Sequence, residues 1–194
     1  EEQQMLLDAK AMLAAQQQAA AQQQAVWTAG AQGSSTAAKA AKDTDPRNVV
    51  DIDSILRRKD TRTTIMIRHI PNKYTDEMLL GKINKLHAGR FDFFYLPKDL
   101  NNKCNIGYAF INFVDPIYIV PFYEDLNNKS WESFNSEKIC EIAYGRIQGK
   151  MNLQENFRHH AETRKIQPYI YDDVVRPHPS EIEQYRHFLL SQRK

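Results

Sequence analysis

Residues 61–148 predict an α/β fold, an α+β sandwich of order β-α-β-β-α-β, and three observations carry that reading. Four runs of strand length, at 64–68, 91–96, 106–113 and 139–146, are apolar or alternate in character. Two amphipathic stretches follow the first and third runs, and each opens on helix-starting residues, Thr75-Asp76-Glu77 and Asp115-Pro116. Within 106–113, Tyr108 and Phe110 share one face while Ala109, Ile111 and Phe113 share the other, because successive strand side chains point to opposite sides.

Residues 1–46 are rich in Ala and Gln, with runs at Gln16 to Gln18 and Gln22 to Gln24, and hold too few large apolar residues for a core. They predict a low-complexity tail, disordered or transiently helical. Met5, Leu6, Met12 and Leu13 give it a short apolar stripe, and the stretch from Gly30 to Thr36 breaks it. Residues 47–60 are a short apolar and basic lead-in. There Val49, Ile52, Ile55 and Leu56 suit a helical turn against the domain edge, and Arg57-Arg58-Lys59 a solvated helix end.

The strand at 64–68 directs Ile65 and Ile67 to a core and Met66 and Arg68 outward. Pro71 and Asn72 then turn the chain into a helix from Asp76 to about His87, capped by Thr75. In the aromatic run 91–96, placing Asp92 outward places Phe94 and Leu96 outward as well, and 97–105 reads as a polar loop. The second helix should run to about Leu126, with Pro121 kinking or shortening it. In the fourth strand Cys140, Ile142 and Tyr144 alternate inward, Glu141, Ala143 and Gly145 outward, and Arg146 ends it. The order is the ferredoxin-like split βαβ arrangement, in which two helices cover one face of a four-stranded sheet and the other face is open.

Two further segments follow. Residues 149–165 predict a helical extension with an apolar edge of Met151, Leu153, Phe157 and His160; it is read as extending the core, the alternative being that it lies across the open face. Residues 166–194 predict an extended segment at Tyr169-Ile170-Tyr171 and a terminal amphipathic helix. Ser180 and Glu183 open that helix as a capping box, and Ile182, Tyr185, Phe188 and Leu189 form its stripe, for docking on the domain or on another protein.

An open face carrying two rings suits unstacked nucleobases, since base–aromatic stacking is worth about 1–3 kcal/mol per base. Segment 107–113 also fits the consensus of RNA recognition motifs, in which a basic residue and Gly precede alternating aromatic and aliphatic positions. Only the first position departs: Ile106 stands where Lys or Arg is usual, so Lys103 is the neighbour to supply a phosphate contact. The RNA-binding residues predicted are therefore Tyr108 and Phe110 for stacking, Arg68, Lys103 and Arg146 for phosphate or base edges, and Met66 and Phe94 as secondary contacts.

These residues resemble the C-terminal RNA recognition motif of the Mei-two-like family of meiosis-regulating RNA-binding proteins. The matching words are 70–74 (Ile-Pro-Asn-Lys-Tyr), 102–113, 136–140, Gln148-Gly149-Lys150 and Asn156-Phe157-Arg158, so that the resemblance covers about residues 60–160. Ile106 and also Met66, which stands where RNA recognition motifs usually place an aromatic, are similar to what that family carries. The resemblance implies a divergent RNA recognition motif, a helix after the fourth strand, RNA rather than DNA as partner, and post-transcriptional control in meiosis or differentiation.

Composition narrows the remaining classes. With 26 basic and 24 acidic residues the net charge is +2, which favours stacking and selective contacts over bulk attraction to polyanions. Two cysteines, Cys104 and Cys140, make no disulfide framework or zinc pair, and adjacent His159 and His160 point about 100° apart on a helix, so no metal and no cofactor are expected. No phosphate-cradling Gly-rich loop and no nucleophile with a base is apparent, so an enzyme is not expected. No apolar run reaches the roughly 20 residues of a membrane span. The chain, which begins at Glu1, is read as a piece of a soluble intracellular protein of the nucleus and/or cytoplasm. The alternative function is a protein-interaction module on the same fold, its partner recruited by the terminal helix or the Ala/Gln-rich tail, with Trp131 and Phe134 in the loop before the fourth strand.

Overall fold

The computed structural model describes residues 45–99, 101–164 and 166–193, the side chains of 159–164 excepted. The readings of the tail before residue 45 and of His159 and His160 lie outside the described residues.

The strands are β1 (Thr64–Arg68), β2 (Phe91–Tyr95), β3 (Lys98–Asp99), β4 (Cys104–Asn105), β5 (Tyr108–Phe113), β6 (Glu141–Tyr144) and β7 (Tyr169–Ile170). Five of them form an antiparallel sheet in the order β6-β1-β5-β2-β7, and β3 and β4 form a separate hairpin where a polar loop was expected. The helices are α1 (Ile52–Leu56), α2 (Asp76–His87), α3 (Ile119–Leu126), α4 (Lys150–Arg164) and α5 (Pro179–Ser191). The four central strands thus follow the predicted β-α-β-β-α-β order, and Tyr169 and Ile170 add an edge strand by pairing with Phe94 and Phe93.

Alternation decides what the core contains. Ile65, Ile67, Ala109, Ile111, Phe113, Ile142 and Tyr144 leave one face of the sheet and meet Leu79, Leu80 and Ile83 of α2 and Ile119, Val120, Phe122 and Leu126 of α3. Thr75 caps α2 by accepting from Met78 N at 3.2 Å, and Asp76 and Glu77 lie in its first turn, where the helix dipole favours acids. The second helix, α3, is shortened at its start, one of the two outcomes expected at Pro121. A 3-10 turn at Pro116–Tyr118, capped by Asp115, delays the helix to Ile119, so Pro121 sits in the first turn, where its missing N–H has no intrahelical acceptor to lose.

The terminal helix docks on its own domain. Ile182 and Leu189 are buried with Ile55 and Leu56, and Arg186 Nη1 donates to the carbonyls of Ile55 and Leu56 at 3.3 and 3.0 Å, closing the C-terminal end of α1. Its capping box lies two residues earlier than predicted: His178 is the N-cap, Pro179 opens the helix and Glu181 Oε2 accepts from His178 N at 2.8 Å. Pro tolerates that first position because its absent N–H is not needed there.

His87, at the end of α2, is 2% exposed, edge-on to Phe122 at 5.0 Å with Nε2 3.4 Å from Asp125. Burial pushes its pKa below the ordinary 6.5, against the upward pull of Asp125. The unfolded chain therefore takes up the proton at higher pH than the folded one, so this group costs stability as pH falls below about 6.5, until the folded-state pKa is passed. Urea midpoints measured across that range should fall in the wild type, and His87→Phe should lose that component of the slope.

Candidate nucleic-acid interface

On the sheet face turned away from α2 and α3, the register places Met66 opposite Phe110 and Ala143, and Arg68 opposite Tyr108 and Glu141. Paired residues in an antiparallel ladder share a face, so Met66, Arg68, Tyr108 and Phe110 form one patch, as the sequence predicts. The rings of Tyr108 and Phe110 are 5.6 Å apart and edge to face. Arg68 Nη1 donates to Glu141 Oε1 at 2.9 Å, and His69 Nε2 lies 3.8 Å from the same carboxylate.

Phe94 is not on this face. It pairs with Ile111 and is fully buried in the core under α2 and α3, while Phe93 pairs with Asn112 and Tyr95 with Phe110. The cause is a register shift between Phe91 and Phe93: Asp92 is an extra residue in β2, and after it the alternation is inverted. Asp92 itself faces the open side, as expected, and accepts from Asn112 Nδ2 at 2.7 Å. Phe93 and Tyr95 are the aromatic residues that sequence parity missed.

The face is also not open along its whole length. Helix α4 lies across it rather than extending the core, with the Phe157 ring 5.3 Å from Phe110, 4.6 Å from Tyr95 and stacked on Phe93 at 6.2 Å. Phe110 is 2% exposed, Leu153 1% and Phe157 5%, whereas Met151, expected on the apolar edge, is 81% exposed. The part of the patch that remains half-exposed is Met66, Arg68 and Tyr108.

Lys103 and Arg146 fall at opposite ends of this surface. Lys103 is exposed in the β3–β4 turn, at the end of the sheet where β1 finishes and β5 begins, in a left-handed conformation with φ 52°. Arg146 is exposed beyond β6, whose Tyr144 pairs with Ile65, and so belongs to the end where β1 starts. The rest of β6 and Gly145 separate Arg146 from Glu141 and the Arg68–Tyr108 patch. The geometry thus groups four predicted residues, leaves Lys103 at their rim and sets Arg146 apart.

Two polar constructions hold the face in place. At the Tyr108 end, Asn105 is 2% exposed and its Nδ2 donates to the carbonyls of Pro71 and Tyr74 at 2.8 and 2.9 Å, while its Oδ1 accepts from Gly107 N at 2.8 Å. Lys138 Nζ donates to Ile70 O at 3.1 Å and Asn72 Oδ1 at 2.7 Å. At the other end, the Gln148 amide spans the start of β1 and the end of β6, and Gly149 N donates to Thr64 Oγ1 at 2.9 Å just before α4. Gly149 has φ 87°, a left-handed conformation that a side chain would strain. Among the described residues no three His, Cys, Asp or Glu side chains gather as a metal site, and no helix is long and apolar enough to cross a membrane.

A β6-β1-β5-β2 sheet with two helices on one face and paired aromatics on the other is the architecture of an RNA recognition motif. The chain belongs to the RNA recognition motif 2 family, whose model matches residues 62–158 and so includes the first turns of α4. It is 48% identical over 132 residues to Protein MEI2-like 2 of Oryza sativa subsp. japonica, covering 66% of this chain and 16% of that protein. To Protein MEI2-like 4 of Arabidopsis thaliana it is 52% identical over 125 residues, covering 63% of this chain and 14% of that one. The chain therefore spans about one-sixth to one-seventh of the length of these relatives, and the motif they share with it is of the Mei2-like type. Among solved structures, that of the Rna15 RNA recognition motif with bound RNA (GU) matches with TM-score 0.39 and 21% identity, over 50% of this chain and 97% of that one.

Proposed function

We propose that the domain binds single-stranded or structured RNA on the sheet face, with α4 as a cover that RNA must move to use the whole surface. The observation that supports this is the division of the aromatic patch: Tyr108 stands half-exposed beside Met66 and Arg68, while Phe110, 5.6 Å away, lies beneath Phe157. A base stacks first on Tyr108 and a phosphate draws Arg68 from Glu141, with Lys103 at the same end. Withdrawal of α4 then offers Phe110, Tyr95 and Phe93 to further bases. This is a binding module rather than an enzyme, acting in the nucleus and/or cytoplasm. Its service in the control of transcripts in meiosis or differentiation is carried by the family resemblance alone.

The test is selection from a randomised single-stranded RNA pool on the whole chain, followed by titration of an enriched RNA at two salt concentrations. Tyr108→Ala should lower affinity by about tenfold or more, which is about 1.4 kcal/mol and within the range of one lost base stack. Unchanged affinity in a folded variant, or no enrichment at all, removes the sheet face as the RNA platform.

A further inference from the structure

On the far side of the core, α2, α3 and the loop leading to β6 enclose a groove of about 680 Å³. Its apolar lining includes Met78, Leu86, Leu126 and Trp131, and two of these are unusually open for their size: Met78 is 43% and Leu86 61% exposed. Lys82 and Lys85 line the same side because residues at helical spacing of three, four and seven from Met78 share its face. Lys129 faces them from the loop after α3.

The charges of the groove are not balanced. Three lysines, Lys82, Lys85 and Lys129, face two acids: Glu132 pairs with Lys82 at 3.2 Å, and Asp125 lies 3.4 Å from His87. Lys85 and Lys129 have no ion pair among the described residues. Trp131 is 4% exposed, packed 5.2 Å from the Tyr74 ring, and its indole Nε1–H is buried without an acceptor. An indole N–H shut away from water is unfavourable until an acceptor reaches it. The turn beside it carries Phe134 and Asn135 at left-handed φ values of 72° and 46°, conformations that side-chain-bearing residues hold only under constraint.

We propose that this groove docks an acidic peptide segment of a partner protein. One large apolar side chain of the peptide seats against Met78, Leu126 and Trp131, its carboxylates meet Lys85 and Lys129, and one of its oxygens accepts from Trp131 Nε1 as the 132–135 turn shifts. The apolar floor selects a peptide over RNA, because a phosphate backbone would bring no apolar group to it. The surface lies on the helical side of the domain, away from the sheet face, so an RNA and this peptide can be held together.

The test is selection of a displayed random dodecapeptide library on the whole chain, with the enriched peptides synthesised and titrated. Enrichment of acidic peptides bearing one large apolar residue is expected. Lys85→Glu with Lys129→Glu, both at the surface, should weaken the selected peptide tenfold or more without changing the melting temperature. The chain has two tryptophans, so an amide–proton correlation spectrum gives two indole signals, and Trp27→Phe identifies the one from Trp131. That signal should move on peptide addition, and Trp131→Phe should weaken binding while keeping the ring. Enrichment of basic peptides or of none, affinity within twofold after charge reversal, or a Trp131 signal that moves with the randomised RNA pool but not with peptide would each overturn the proposal.

Discussion

Phe157→Ala is expected to raise the affinity of this chain for single-stranded RNA by tenfold or more. Over residues 150–158, α4 is held to the sheet by two buried apolar side chains, Leu153 and Phe157, and by Lys150, whose Nζ donates to Tyr171 O at 3.0 Å and Asp172 Oδ1 at 2.6 Å. Burial of a Phe side chain contributes about 1.5–3 kcal/mol, so removing the ring takes away a large part of the attachment. A cover favoured by about 2 kcal/mol leaves roughly 3% of molecules open, and apparent affinity falls by the inverse of that fraction. Freeing the helix restores it. Anisotropy titrations of one selected RNA against wild type, Phe157→Ala and Phe157→Ala with Tyr108→Ala check this. The double variant should lose most of the gain, because the exposed platform then lacks its outer ring. A fall in affinity for Phe157→Ala alone would make Phe157 part of the RNA-binding surface and end the role of α4 as a cover.

The sheet was legible in the sequence where side-chain period and burial agree. Ile65 and Ile67 flank Met66, Ala109 and Ile111 flank Phe110, and Cys140 and Ile142 flank Glu141, so their shared faces follow from a period of two. Phe94 was misplaced because 91–95 is aromatic at every position except Asp92, and no hydrophobic alternation marks the residue at which a bulge inverts the face. The apolar edge of α4 was legible in Leu153 and Phe157, but not the surface it covers: both faces of this sheet are apolar enough to receive it. The family words at 70–74, 102–113 and 136–140 have a physical meaning that only the fold displays. They bring Pro71, Tyr74, Asn105 and Lys138 into one hydrogen-bonded corner at the Tyr108 end of the sheet. A buried Asn reaching carbonyls more than thirty positions away leaves no periodic trace in a single chain.

Gln148→Ala should lower the stability of the domain by about 2–4 kcal/mol, among the largest effects of any half-buried polar residue here. The Gln148 Oε1 accepts from Thr63 N and Thr64 N at 3.0 and 2.9 Å, and its Nε2 donates to Thr64 O and Gly145 O at 2.9 and 2.8 Å. Thr64 is fully buried, so its N–H has little access to water once the amide is gone, while its carbonyl keeps Gly145 N at 3.0 Å, and an unmet buried group costs more than a bond returned to solvent. Urea unfolding with an unchanged slope would report the loss as stability rather than as a more compact denatured state. Gln148→Glu separates bonding from packing. It keeps shape and both acceptor contacts but turns an oxygen toward two carbonyls, so it should be at least as damaging as Ala at neutral pH. It should recover in part as pH falls through the carboxyl's raised pKa and the protonated oxygen regains a donor. Because Gly149 N is tied to Thr64 Oγ1 in the next residue, loss of the amide also loosens the start of α4. Gln148→Ala should therefore bind RNA more tightly than wild type while folding less stably. Unchanged RNA affinity in that variant would mean that α4 is held by its contacts with the sheet alone.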